Sequence, residues 1–280
     1  MNLTNPSFIK DLLERHNFRF SKTFGQNFLI TQQIPEKIAD AAELDENTTV
    51  LEIGPGIGCL TRCLAKRAKK VVTVEIDDRL IPLLRETLED LDNVQVVHND
   101  VLKTDLPALL GGEEKLAVCA NLPYNITTPI LVYLLESGLK FQSVTVMVQK
   151  EVAQRFCAEK GSKDYGAITL FLNYYTKPKM LFSVGAGNFM PKPRVDSAVL
   201  RLSAIQPPVD TEPKELFRII RAAFSMRRKT LQNTLASAGI PKERTAAALE
   251  ALGLSPSARG EELGLKEYAA LVKELNKAAE

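Results

Sequence analysis

Asn121-Leu122-Pro123-Tyr124 puts a side-chain carboxamide, a backbone carbonyl at a proline turn and an aromatic face within four residues. That set suits the exocyclic amine of a planar base such as adenine. The amine is a poor nucleophile because its lone pair is delocalised into the ring. Two acceptors that hold its N–H bonds out of the ring plane restore lone-pair character. Asn121 would offer its side-chain oxygen and Leu122 its carbonyl, while Pro123 fixes the turn and Tyr124 stacks on the ring. No general base is needed, since the ammonium formed by attack is strongly acidic and sheds its proton afterwards. Alignment and electrostatic complementarity would then be the main contributions.

A second set of residues precedes the first. The apolar run Thr49–Ile53 leads into Gly54-Pro55-Gly56-Ile57-Gly58. Glycines at a strand-to-helix turn let the backbone bend sharply and approach a ligand. Glu75 ends the next apolar run, at the position from which a carboxylate accepts from two ribose hydroxyls. Asp100 comes after the third run, where its carboxylate would accept from an adenine amino group. Each has a blander alternative, an ordinary turn for the glycines and a helix cap or solvated strand end for the acids. Their joint placement at three successive strand ends argues for a nucleotide-type cofactor. A nicotinamide dehydrogenase fits that triad almost as well. The Gly-x-Gly-x-Gly spacing, the lack of a histidine or lysine motif for hydride chemistry, and above all Asn121–Tyr124 decide for methyl transfer.

The segment Asn188-Phe189-Met190-Pro191-Lys192-Pro193 is a proline-stiffened loop before the last strand pattern. Phe189 is the candidate for the opposite face of the base, giving a sandwich for a nucleotide turned out of its stack. Its alternative is a phenylalanine packed in the core.

These residues need a scaffold that brings strand ends together. Short apolar runs alternate with helical patterns from Val50 to Gln149, which predicts a doubly wound α/β sheet. Strands are expected at 49–53, 71–76, 94–98, 116–120 and 144–148, and their near-continuous apolar content fits parallel strands buried on both faces. Thr128-Pro129 marks a helix start, with proline at the first helical position. Two further β-rich runs, Ala167–Tyr175 and Ser197–Ile205, are expected to pair antiparallel at the sheet edge. The proline-rich stretch Ile205–Pro213 reads as a linker, so the division expected is 1–206 and 207–280. Beyond it the pattern is helical, with Leu216, Phe217, Ile220 and Phe224 on one stripe and Leu265, Tyr268, Leu271, Val272 and Leu275 on another.

The totals narrow the class. The 280 residues, 45% hydrophobic and 25% charged, describe a globular chain with room for one large domain and a small one. No apolar stretch reaches a membrane span's length and the N-terminus lacks a leader pattern, so a cytoplasmic protein without membrane contact is expected. Cys59, Cys63, Cys119 and Cys157 with His16 and His98 lack metal-ligand spacing; no metal is expected, and the cysteines read as buried thiols. A net charge of +2 does not announce nucleic-acid binding. Residues 206–280 hold twelve Lys+Arg against ten Asp+Glu, so any basic surface must be local.

In these motifs the chain resembles the ribosomal RNA adenine dimethyltransferases, and within them the small-subunit enzymes. The resemblance rests on Phe24-Gly25-Gln26-Asn27-Phe28-Leu29, Glu52–Gly56, Val74–Asp77, Asn121–Tyr124, Phe189–Ser197 and Arg227-Arg228-Lys229-Thr230-Leu231. It implies a Rossmann-like sheet that uses S-adenosyl-L-methionine, with a small all-α C-terminal domain. It implies dimethylation of the N6 amino groups of two adjacent adenosines near the 3′ end of small-subunit (16S) rRNA, within an immature 30S subunit. It also implies cofactor contacts from Asn27 and Leu29 beside Gly54, Gly56, Glu75, Asp100 and Asn121. For the RNA, Arg221, Arg227, Arg228 and Lys229 belong to a run without an intervening acid, whose alternative is a solvated helix face.

Overall fold

The computed structural model describes residues 1–20 and 25–277. Its centre is a seven-stranded sheet. The strands are β1 (Thr49–Ile53), β2 (Lys70–Glu75), β3 (Val94–His98), β4 (Leu116–Asn121), β5 (Phe141–Gln149), β6 (Thr176–Val184) and β7 (Ser197–Ala204). The order across the sheet is 3-2-1-4-5-7-6. β1 runs parallel to β2 and β4, β2 to β3, and β4 to β5, while β7 is antiparallel to β5. Every residue of β1 is buried, as are all but the first of β2 and the last of β4. Central strands covered on both faces have no solvent side to reward a polar residue, hence Val-Val-Thr-Val and Leu-Ala-Val-Cys-Ala. β3 lies at the edge and its burial is only partial.

Helices cover the faces. Leu60, Cys63 and Leu64 of Cys59–Ala65 join Ile38 and Ala39 of Gln33–Ala41 in one buried cluster with Val50, Val71 and Cys119. Thr127–Glu136 contributes Ile130, Leu131 and Leu134. It begins at Thr127, ahead of the expected cap at Thr128; Thr127 Oγ1 donates to the Pro123 carbonyl at 3.0 Å. Pro129 still fits, because N–H groups of a first turn have no helical partner to lose.

The main departure from expectation is Ala167–Tyr175, a nine-residue helix and not a strand. Its Ile, Thr, Phe and Tyr content favours β structure by propensity, and a run that is apolar all round carries no usable period. Packing decided the matter: Phe171 and Tyr174 lie 5.0 and 5.2 Å, centroid to centroid, from Phe217. The strand that closes the sheet is instead β6, beside β7. Lys177, Pro178 and Lys179 disguise it, yet proline and lysine are the residues that suit an outermost strand.

Two compact units result. The first comprises Met1–Ala153 and Lys179–Ala204; the second comprises Gln154–Pro178 and everything from Ile205 on. The division falls between Ala204 and Ile205, ahead of the expected 206/207, and Gln154–Pro178, expected with the sheet, clusters with the helical unit. That unit contains Pro213–Ala223, Leu231–Ala236, Lys242–Ala251 and Leu265–Lys277. Most of both expected stripes is buried in it, Leu216, Phe217 and Ile220 on the first and Tyr268, Leu271, Val272 and Leu275 on the last, while Phe224 and Leu265 are half-buried.

Candidate active site

The order 3-2-1-4 places the C-terminal ends of four parallel strands side by side, and a cleft opens there. Gly54, Gly56, Glu75, Asp100, Asn121, Leu122 and Tyr124 all line it, together with Asn27 and Leu29. The glycine turn shapes its floor. Gly54 has φ +67° and donates to the Val74 carbonyl at 3.0 Å; a Cβ added there would meet nothing within 4 Å. At Gly56, φ +62°, a Cβ would stand 3.1 Å from the Phe28 ring. Only glycine both holds this conformation without strain and leaves the floor bare.

Glu75 is 5% exposed. Burial pushes its carboxyl up to about 7, opposed by backbone hydrogen bonds from Asp77, whose N–H reaches Oε1 at 2.9 Å, from Gly56 and from Ile76. A carboxylate in so dry a site is a strong acceptor for ligand hydroxyls. Asp100 does two things at once. Its Oδ1 caps the turn Val101–Lys103 by accepting from the Leu102 N–H at 3.0 Å, the blander of its two expected roles, and it also faces the cleft.

Glu52 had no role in the sequence beyond its motif. It lies inside β1, 1% exposed, lines the cleft and accepts from Thr61 Oγ1 at 2.6 Å. Burial pushes its carboxyl up to about 8. An acid within the run Val-Leu-Glu-Ile was the available signal, since buried carboxyls are rare unless something requires them.

The acceptor clamp sits where β4 ends. Asn121 Nδ2 donates to the Asn27 carbonyl at 3.4 Å, and among the described residues no donor reaches its Oδ1. The Leu122 N–H donates to the Met147 carbonyl at 3.1 Å, which ties the Asn121–Leu122 peptide to β5. The Ile126 N–H and Thr127 Oγ1 both reach the Pro123 carbonyl, which closes the turn. Tyr124 is hydrogen bonded through its hydroxyl to Ser197 Oγ at 2.6 Å, so its ring is held from β7. Burial pushes that phenol up, and it stays neutral.

Phe189 departs from expectation. It is 3% exposed, sits in the same buried cluster as Leu29, Val184 and Val199, and does not line the cleft. Its backbone pairs with Leu29 in a two-residue antiparallel ladder, Phe28–Leu29 with Phe189–Met190. A large apolar ring two residues from a prolyl bend gains more from the core than from water, so only Tyr124 of the expected sandwich faces the cleft.

The model of the family described as ribosomal RNA adenine dimethylase matches residues 17–277. Ribosomal RNA small subunit methyltransferase A of Clostridium perfringens is 46% identical over 270 residues, 96% of this chain and 95% of that one. The protein of the same name from Geobacillus thermodenitrificans is 47% identical, with 96% of each covered. The chain belongs to the ribosomal RNA adenine dimethylase family. Among solved structures, a dimethyladenosine transferase from Plasmodium falciparum superposes with TM-score 0.77 at 28% identity, covering 90% of this chain and 98% of that one. The 23S rRNA methyltransferase ErmE superposes with TM-score 0.68 at 31% identity, covering 89% and 100%. The expected α/β methyltransferase sheet is therefore present, and the chain is an rRNA adenine dimethyltransferase.

The family implies S-adenosylmethionine as methyl donor, and the cleft fits it. Gly54 leaves a floor that a Cβ would fill, and Glu75 offers a buried carboxylate. Of the N-terminal motif, Asn27 and Leu29 line the cleft, and Asn27 Nδ2 donates to the Gly25 carbonyl at 2.9 Å. Phe24 lies outside the described residues. Among the described residues no cluster of His, Cys, Asp and Glu could hold a metal ion, and no helix is long and apolar enough to cross a membrane.

In the helical unit, the basic run of this adenine dimethylase divides. Arg218 is paired with Glu215 at 2.6 Å. Arg227 is paired with Glu261 at 2.9 Å and donates to the Ser162 carbonyl at 3.3 Å. Arg221, Arg228 and Lys229 are exposed and form no salt bridge with a described residue. The absence of acids within the run was legible; the acid arriving from Glu261 was not.

Proposed function

We propose that the chain dimethylates the N6 amino groups of two adjacent adenosines near the 3′ end of small-subunit (16S) rRNA, in the cytoplasm, on an immature 30S subunit. Gly54, Gly56, Glu75, Asp100, Asn27 and Leu29 hold S-adenosylmethionine, which supplies an electrophilic methyl on sulfur. The observation that carries this reading is Asn121, which lines one cleft with Glu75 and Asp100 and whose Oδ1 accepts no hydrogen bond from the described residues.

Strand order supports the assignment of parts. From Asp100 after β3, through Glu75 on β2 and Gly54 after β1, to Asn121 on β4, the path crosses three strand spacings, roughly 14 Å at about 4.8 Å each. An extended nucleoside with an amino-acid tail spans such a distance. Asp100 then faces adenine, Glu75 the ribose, and the clamp the reacting end.

At that end the chain's own residues orient a nucleophile. Asn121 Oδ1 and the Leu122 carbonyl accept the two N6 hydrogens, turning the lone pair out of conjugation. Tyr124, held through Ser197, stacks on the base and fixes the angle of approach. The Asn121–Leu122 peptide is tied to β5 and the Pro123 carbonyl accepts from Ile126 and Thr127, so the turn that carries both acceptors is braced as positive charge develops on nitrogen. The proton released afterwards needs no dedicated base. Exposed Arg221, Arg228 and Lys229, with Arg227 beside them, supply the phosphate contacts.

Incubating the full-length protein with tritiated donor and each immature ribosomal subunit tests the reading. The expected result is label at two adjacent adenosines of the small-subunit rRNA. Label confined to the large subunit, or none on either, would overturn it.

A further inference from the structure

A second polar cluster lies two residues past Glu75. The Asp77 side chain is 0% exposed, and both its oxygens are engaged. Oδ1 accepts from the Arg79 backbone N–H at 3.1 Å and from Arg79 Nε at 2.8 Å. Oδ2 accepts from Arg79 Nη2 at 2.6 Å and from Gln26 Nε2 at 2.7 Å. The Asp77 N–H is the group that donates to Glu75. Arg79 in turn stands 5.1 Å from the Phe18 ring centroid and gives Nη1 to the Arg19 carbonyl at 3.3 Å. Burial pushes the Asp77 carboxyl up, but hydrogen bonds from Arg79 and Gln26 outweigh it and hold the group below its ordinary range. It is therefore ionised, and these are charge-assisted bonds.

Gln26 lines the cleft and directly precedes Asn27. One buried carboxylate thus joins the N-terminal lip of the cleft to the strand end that carries Glu75. A turn cap would need only the bond from the Arg79 N–H; the bond from Gln26 is surplus to that purpose and ties two distant segments together.

We propose that Asp77 is a positioning residue for the methyl donor: its side chain fixes Gln26, and with it Asn27-Phe28-Leu29, at the rim of the cleft, while its N–H orients Glu75. This rests on the reading that the cleft binds S-adenosylmethionine. The role predicts an effect on donor affinity that passes through Gln26, more than on RNA affinity or on turnover once the donor saturates.

Calorimetric titration of the full-length protein with S-adenosylmethionine and S-adenosylhomocysteine tests it. Gln26→Ala and Asp77→Asn are each expected to raise Kd about tenfold, the scale of one lost charge-assisted hydrogen bond. The double variant is expected to bind no more weakly than Asp77→Asn alone, and the loss in Gln26→Ala should appear in KM for the donor more than in kcat. Should Asp77→Asn fail to fold, Arg79→Lys, which keeps the charge but loses the two-pronged grip, is expected to weaken donor binding in the same direction. Wild-type affinity in Gln26→Ala, or full additivity in the double variant, overturns the proposal. Glu75→Gln separates the two levels. If the wild type binds and Glu75→Gln weakens it while Gln26→Ala does not, only the Asp77 role falls; if the wild type binds neither ligand, the cofactor reading falls too.

Discussion

The cleft and the basic run of the helical unit treat charge in opposite ways. In the cleft, Glu52 and Glu75 are buried with fewer donors than they can use, and their carboxyls are pushed up. In the helical unit, Arg218 and Arg227 are exposed and already satisfied by acids. A group left short of partners by the fold is available to a ligand, whereas a group paired by the fold serves the fold first. Residue type alone does not separate the two cases; the partners do.

The sharpest way to break the contrast is at the clamp. Asn121→Ala removes an acceptor for which the structure offers no substitute, and transfer is expected to fall about 10³-fold or more while donor Kd changes little. Single-turnover transfer beside calorimetric binding reads both. Robust turnover by this variant would remove Asn121 from the mechanism.

Glu75 gives the next effect. Its carboxyl, raised to about 7, must be ionised to accept two hydroxyls, so donor binding should tighten as pH rises through 7. Below that pH the loss should approach about tenfold per unit, and Glu75→Gln should flatten the profile. A wild-type Kd that is constant from about pH 6 to 8 would sink the assignment.

The helical unit predicts a split among cations that look alike in sequence. Replacing Arg228 and Lys229 together by Gln should weaken RNA binding and lower the salt slope by roughly 1.4, at about 0.7 per phosphate contact on single strands. Arg227→Gln should change the slope less and instead lower thermal stability, because it abandons Glu261. Equal slopes for both variants would erase the distinction between free and paired cations.

The smallest expected change in transfer is at Glu52, whose effect falls on stability. Its folded value of about 8 exceeds its ordinary 4.5, so the native state holds the extra proton between those values and stability declines as pH rises across that window. The penalty above pH 8 is on the order of 5 kcal/mol at most, and Glu52→Gln should raise Tm relative to wild type more at about pH 8.5 than at about pH 5. A Tm difference that does not grow with pH would show the carboxyl to be ionised throughout.

Much of this was legible because parallel strands advertise themselves. β1 to β5 are apolar runs flanked by turn residues, and cofactor residues at strand ends can be counted off without knowing the sheet order. That Asn121–Tyr124 would line the same cleft was legible because the four residues are consecutive and follow an apolar run. Ala167–Tyr175 was not, since an all-round apolar segment has no period and only its packing against Phe217 selects the helix. β6 was hidden by the lysines and proline that its place at the edge permits. Phe189 could not be decided from sequence, because a phenylalanine beside a prolyl loop serves stacking and burial equally well until Leu29 is seen beside it. The Asp77 network was invisible for the plainest reason: Gln26 and Asp77 are fifty-one positions apart.

Strand order also divides the labour of the site. On the proposed reading, donor recognition would draw mainly on β1, β2 and β3, whereas acceptor recognition would be confined to the turn after β4, braced from β5 and β7. The two halves of the reaction thus occupy neighbouring but separately supported parts of one sheet. A scaffold divided this way can exchange its choice of nucleophile by rebuilding a single turn, with the grip on the donor left intact.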